Sequence, residues 1–288
     1  VFVTSVSGVP GGGTAGHDVA RGQGRHAQAR QPRARQPGAG QPRAQAHDSP
    51  ETALFSHWAQ GYASERFGQP IAVLLAGAVT AAGDLDAASL RAAGADLSFG
   101  LVDDDQPVTQ AAQGSHPGLA RCTLGDLRTV PLPQRSFDIV QVTLLLERIE
   151  HAELVLDRLV GALKPGGLLC LQVRDRDCAA GFLDRVLPDW TRRMIWRKHR
   201  PGRPGPHPAV YERVASARGV QSYALMRGLV IAEQQPLGGL AGGLRPAPRG
   251  YLAAQKLVAA LSRGRLPAVH EEVLYVMRKP ENRFARIL

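Results

Sequence analysis

Between Gly125 and Val173 the chain writes out a strand, a crossover helix and a second strand, the β-α-β unit of a parallel sheet. An acidic turn, Gly125-Asp126-Leu127, precedes Leu132-Pro133 and the run Ser136-Phe137-Asp138-Ile139-Val140. A Leu-rich stretch then leads into a helical pattern from about Ala152 to Leu163. Leu163-Lys164-Pro165-Gly166-Gly167 follows, and after it the apolar run from Leu168 to Val173, which reads as a buried strand. Strands joined through a helix lie parallel, because a parallel partner needs a crossover of about a dozen residues or more. Proline bars a helix from continuing and glycine accepts the left-handed turn that ends it, so the helix is expected to stop at the Pro-Gly-Gly.

The same alternation extends in both directions. Ile71 to Leu75 reads as a first strand, and Asp84 to Ala93 as a short helix with Asp84 as its N-cap. Leu97 to Val102 is a second strand, ending in Asp103-Asp104-Asp105. A helix around Val108 to Gln113 and a strand near Leu119 to Leu124 follow. Leu229 to Glu233 and Val273 to Met277 close the chain as an antiparallel pair, with a Gly/Pro-rich stretch and an amphipathic helix near Tyr251 to Leu261 between them. This order predicts an α/β fold, a Rossmann-like doubly wound sheet of about seven strands. Upstream, Leu54, Trp58, Tyr62 and Phe67 mark an amphipathic helix leading into the fold. Residues 1–50 hold Gly, Pro, Gln, Arg and Ala with almost no large apolar side chain after Ala20, so nothing there offsets the entropy of ordering. They are expected to be a disordered tail ahead of one domain over 51–288.

The wording of these segments resembles the class I S-adenosylmethionine-dependent methyltransferases, closest to the type 11 group. The resemblance rests on Gly125-Asp126-Leu127, Ser136-Phe137-Asp138-Ile139-Val140, Leu145-Leu146-Glu147-Arg148-Ile149 and Leu163-Lys164-Pro165-Gly166-Gly167. It covers roughly residues 53–279. In that family the first strand runs into a glycine-rich turn that lets the backbone approach the cofactor. Here the turn is Leu75-Ala76-Gly77-Ala78-Val79-Thr80-Ala81, a degenerate form in which Gly77 survives, Leu75 replaces an acid, and Val79 and Ala81 replace glycines. The resemblance implies S-adenosylmethionine as cofactor. Ala76, Gly77 and Ala78 would face its methionine end, Asp103 (or Asp104) its ribose, and Asp126 with Leu127 its adenine. Asp138 would have a structural role at its strand's start. Arg148 stands where a histidine near the methyl-transfer centre is usual. The chain lacks an Asn/Asp-Pro-Pro-aromatic motif, which argues against methylation of base amines.

Residues 175–218 read as an irregular, basic and aromatic insertion over the open end of the sheet, with Trp190, Arg192, Arg193, Trp196, Arg197, Lys198 and Tyr211. Such a cap suits an anionic or aromatic small molecule, since guanidinium groups pair with carboxylates and stack on rings. His199 and His207 are the general-base candidates by location. The net charge of +10 and pI near 10.2 raise nucleic acid as a partner. Most of the basic residues are arginines within an Ala-, Gly- and Pro-rich composition, and part of the charge lies in the tail, so nucleic acid is set aside. Cys122, Cys170 and Cys178 are too few and wrongly spaced for a disulfide framework, and no metal site is expected. No apolar run approaches the length of a membrane span, and Val1 to Gly16 lacks a secretory signal pattern, so a cytoplasmic protein is expected. The function predicted is methyl transfer to a small-molecule acceptor by a monomer or homodimer. A methyltransferase-like binding or scaffold protein without catalysis is the alternative.

Overall fold

The computed structural model describes residues 50–66, 68–77, 96–110, 122–199, 205–238 and 249–281. The tail, Phe67, the turn from Ala78, the helix expected at Asp84–Ala93 and most of the segment before the third strand lie outside the described residues.

The elements in chain order are α1 (Pro50–Glu65), β1 (Ile71–Ala76), β2 (Leu97–Asp103), β3 (Thr123–Leu124), β4 (Phe137–Thr143), α2 (Ala152–Ala162), β5 (Leu163–Arg174), α3 (Ala179–Val186), α4 (Asp189–His199), α5 (Ala217–Arg227), β6 (Val230–Leu237), α6 (Arg249–Leu261) and β7 (Glu272–Arg278). They build one seven-stranded sheet in the order β3-β2-β1-β4-β5-β7-β6. β1 to β5 run parallel, and β7 lies antiparallel between β5 and β6. This is the Rossmann-like, doubly wound α/β sheet that the alternation of strands and helices predicts, with the strand order reversing beside β1.

Side chains along the central strands alternate between two cores, as the two-residue period of a strand requires. Leu74, Val140, Val142, Leu169, Leu171 and Tyr275 face one, with Val155, Leu156 and Leu159 of α2. Val73, Leu75, Ile139, Cys170, Leu274 and Val276 face the other, where Phe55, Ala59 and Tyr62 of α1 cover them. The entry helix therefore packs on the sheet itself. Asp138, buried at the start of β4, ties three elements together. It accepts from the Ala72 N–H at 2.9 Å, the Tyr62 hydroxyl at 3.2 Å and Lys164 Nζ at 2.6 Å.

Two sequence expectations need correction. The helix before the Pro-Gly-Gly ends at Ala162, and Leu163 is already extended and paired with Phe137. Pro165 and the positive-φ Gly166 lie in an irregularity of β5, after which Leu168 resumes the register opposite Ile139. Gly167 belongs there because a Cβ would lie 2.7 Å from the Asp138 carbonyl oxygen. The stretch expected to be irregular after Asp175 contains α3 and α4 and the first residues of α5. Their apolar and charged residues make local helical faces that an aromatic and basic composition conceals.

Candidate active site

The turn after β4 joins the carboxyl edge of the sheet to the cap. Leu144 leaves the strand with φ 46°, and Leu145 and Leu146 enter the core. The Glu147 carbonyl accepts from the N–H groups of Val210 and Tyr211, both at 3.0 Å. The Glu212 carboxylate accepts from the N–H groups of His151 at 2.6 Å and Ala152 at 2.9 Å. These are orphan donors at the start of α2, where the helix dipole favours an anion. The segment around Pro208 is thereby fastened across the strand ends.

Arg148 is fully buried and turns toward β2. Its Nη2 donates to Asp103 Oδ1, its Nε lies 3.5 Å from Asp104 Oδ2, and its Nη1 is 3.3 Å from His207 Nδ1. Asp103 also accepts from the Asp104 N–H at 2.8 Å, and Asp104 accepts from the Thr109 hydroxyl at 2.7 Å. The acid expected at a ribose is thus held by an arginine of the same chain.

Arg148 and Pro208 line both of two spaces. One is an open groove along Asp104, Gly125, Asp126, Leu127 and Ile149. The other is a cavity beneath the cap, reached by Leu144, Glu147, Arg174, Trp196, His207 and Tyr251. In the groove, Asp126 is gripped by Arg128, with Nε at 2.8 Å from Oδ1 and Nη2 at 2.8 Å from Oδ2. These hydrogen bonds hold its carboxyl below the usual range. Leu127 sits behind it in the core.

Ala76 is buried at the end of β1. Gly77 has φ 80°, and a Cβ there would lie 2.4 Å from the Thr143 carbonyl oxygen, so the close neighbour that demands glycine is β4. Ala78 lies outside the described residues. His199 ends α4, and its side chain lies outside the described residues too.

In the cavity the guanidinium groups are met by carboxylates. Arg174, at the end of β5, lies 3.4 Å from Glu272 and 3.5 Å from Asp184. Asp184 of α3 also accepts from Arg192 Nε at 2.9 Å and from the Tyr211 hydroxyl at 2.8 Å. Burial pushes the Asp184 carboxyl up, but Arg174, Arg192 and Tyr211 more than offset it and hold it low. Arg192 Nη2 donates to the His207 carbonyl at 2.6 Å. The Trp196 ring stands edge-on to the His207 imidazole, 6.3 Å between centroids.

Glu147 differs from these acids. Burial pushes its carboxyl up to about 7 against the pull of Arg174. Among the described residues its Oε2 has no hydrogen-bond partner. Sequence reasoning passed over it, although it stands beside Arg148 in a motif already singled out. Asp184 and Arg174 carried no such signal, because their pairing exists only once α3 folds back over β5.

Comparison with known proteins finds a match in the middle of the chain. Residues 75–171, from the last residues of β1 into β5, match the family model of the methyltransferase domain. The match covers about a third of the chain, and over that stretch it agrees with the resemblance read from the motifs. No curated protein matches the chain. Among solved structures it is similar to an S-adenosylmethionine-dependent methyltransferase from Mesorhizobium loti, at 16% identity over 74% of this chain and 92% of that one, with TM-score 0.41. It is similar at 16% identity to phosphoethanolamine N-methyltransferase 2 of Haemonchus contortus in complex with S-adenosyl-L-methionine, over 80% of this chain and 57% of that one, TM-score 0.41. A third is the Burkholderia thailandensis 1,6-didemethyltoxoflavin-N1-methyltransferase, at 15% identity over 81% and 80%, TM-score 0.40.

Proposed function

We propose that this protein transfers a methyl group from S-adenosylmethionine to a small-molecule acceptor. The single observation that supports the reading is the groove at the carboxyl edge, lined by Asp126, Leu127 and Ile149 within the stretch that matches the methyltransferase domain. The chain's residues fit the nucleoside portion once the arginines now holding the two acids, Arg128 on Asp126 and Arg148 on Asp103, make room. Asp126 offers an exposed carboxylate for the adenine amino group, with Leu127 and Ile149 as apolar neighbours. Asp103 offers its carboxylate to the ribose hydroxyls only when the Arg148 guanidinium gives up its place there. Ala76, Gly77 and Ala78 would lie at the methionine end, and His207 beside the acceptor.

The bound cofactor supplies an electrophilic methyl group on a sulfonium, so the protein's share is alignment and exclusion of water. Glu212 and the two hydrogen bonds on the Glu147 carbonyl hold the cap segment over the strand ends for that purpose. Calorimetric titration with S-adenosylhomocysteine tests the reading. Binding is expected, and Asp126→Ala, an exposed change, should weaken it about tenfold or more, as for a lost hydrogen bond to a charged group. Absence of heat at high micromolar ligand would overturn it.

A further inference from the structure

The cap cavity holds an unanswered polar atom. Glu147 is 8% exposed, lines the cavity, and has no partner for Oε2 among the described residues. A buried carboxyl oxygen calls for a hydrogen-bond donor, and one that lines a cavity can take it from the cavity's occupant. Apolar side chains and two aromatic rings complete the walls: Leu144, Leu187, Ile195, Trp196 and Tyr251. The charged walls favour one class of donor. Arg148, Arg174 and Arg192 line the same space already paired with carboxylates, and an ammonium group would add the cost of burying a further charge, whereas a neutral hydroxyl enters without one.

We infer that this cavity is the acceptor site and takes a small aromatic hydroxyl compound, a phenol or an enol, whose O–H is donated to Glu147 Oε2. The inference deepens the methyl-transfer reading and rests on it for the name "acceptor", while the binding event stands by itself. In the reaction the acceptor's O–H bond breaks, the proton passes to Glu147, and the electron pair stays on oxygen, which becomes the nucleophile. Glu147 is suited to that exchange because burial brings its carboxyl up to about 7, near the pH at which a base both accepts and releases a proton. His207 then faces Arg148 and Trp196 as a wall of the site.

The test is ligand-observed NMR titration of the full chain, without cofactor, with phenol, anisole and benzylamine between pH 6 and 8. Facing Glu147 are Arg148 from its own turn, Arg174 of β5, Glu272 of β7 and Tyr211 of the cap segment. Asp184, Arg192, His207 and Tyr251 complete the cavity's titratable set. Of these, His207 is the rival source of a change near neutrality. Phenol affinity is expected to rise about tenfold through this range, because a charge-assisted hydrogen bond to the carboxylate forms as Glu147 ionises. Anisole, which has no donor, should show no rise, and benzylamine should bind at least about tenfold more weakly than phenol at pH 8. Glu147→Gln should flatten the phenol profile, and His207→Gln, whatever it does to the affinity itself, should keep the rise with pH. Circular dichroism of each variant checks that it has folded, and Glu147→Asp, which keeps the charge but shortens the reach, should give a reduced rise. Equal profiles for phenol and anisole, a preference for benzylamine, or a rise lost only in His207→Gln would each overturn the inference. Phenol failing while S-adenosylhomocysteine binds sinks the acceptor assignment alone. Phenol binding with no cofactor binding leaves the site and removes the methyl transfer.

Discussion

A guanidinium with no water around it must be matched by carboxylates, and Arg148 meets Asp103 and Asp104 within one buried cluster. Such a pair adds little net stability over apolar side chains of the same size, yet breaking it strands a charge. Arg148→Met is therefore expected to cost about 3–5 kcal/mol in urea unfolding, and Arg148→Met with Asp103→Leu to recover most of that. A loss below about 1 kcal/mol for the single variant would mean that water reaches the pair. The sequence marked both residues, Asp103 as an acid at a strand end and Arg148 as a departure from the motif's histidine. It gave no sign that they touch. They are 45 positions apart, and only the parallel pairing of β1 with both β2 and β4 brings their strand ends side by side.

At the level of elements, the cap is attached where α2 begins. His151 holds φ 55° and makes no side-chain capping bond, so the Glu212 carboxylate supplies the acceptors for this helix end. Glu212→Ala should destabilise the protein by about 1–2 kcal/mol, the cost of a lost N-cap. It should also raise amide exchange in residues 205–212 more than in β4 or β5, which hydrogen-exchange mass spectrometry resolves. Uniform exchange across the chain would contradict the fastening role. The strands and helices themselves were legible, because alternation of apolar residues and the spacing of helical faces are local properties. The end of α2 was misread for a physical reason. Proline and glycine signal that a helix cannot continue, but Leu163 had already been drawn into the sheet by pairing with Phe137. The helices of the cap were hidden because short, charged, aromatic segments have no strong period until packing selects their buried face.

At the scale of the whole molecule, the buried Glu147 carboxyl opposes folding at neutral pH. Burial raises the Glu147 pKa to about 7, whereas an unfolded chain releases that proton near pH 4.3. The folded form then binds more protons between those values. Its contribution to stability is full below about pH 4.3 and is lost as the pH rises to about 7, at roughly 1.4 kcal/mol per unit. Urea denaturation of the parent and Glu147→Gln at pH 5 and pH 8 should show the variant gaining relative stability at the higher pH. An unchanged difference would show that Glu147 is hydrated. Among the described residues no helix is long and apolar enough to cross a membrane.

Local chemistry in the chain determined the alternation of strands and helices and the positions of Asp103 and Asp126 at strand ends. These follow from periodicity and turn residues, which act between neighbours. Tertiary structure alone decided that Arg148 occupies Asp103, that Glu147 keeps an unmatched oxygen, and that α3 and α4 close a cavity over β5. Charge pairing and desolvation act through space, between residues whose separation along the chain carries no trace of their contact.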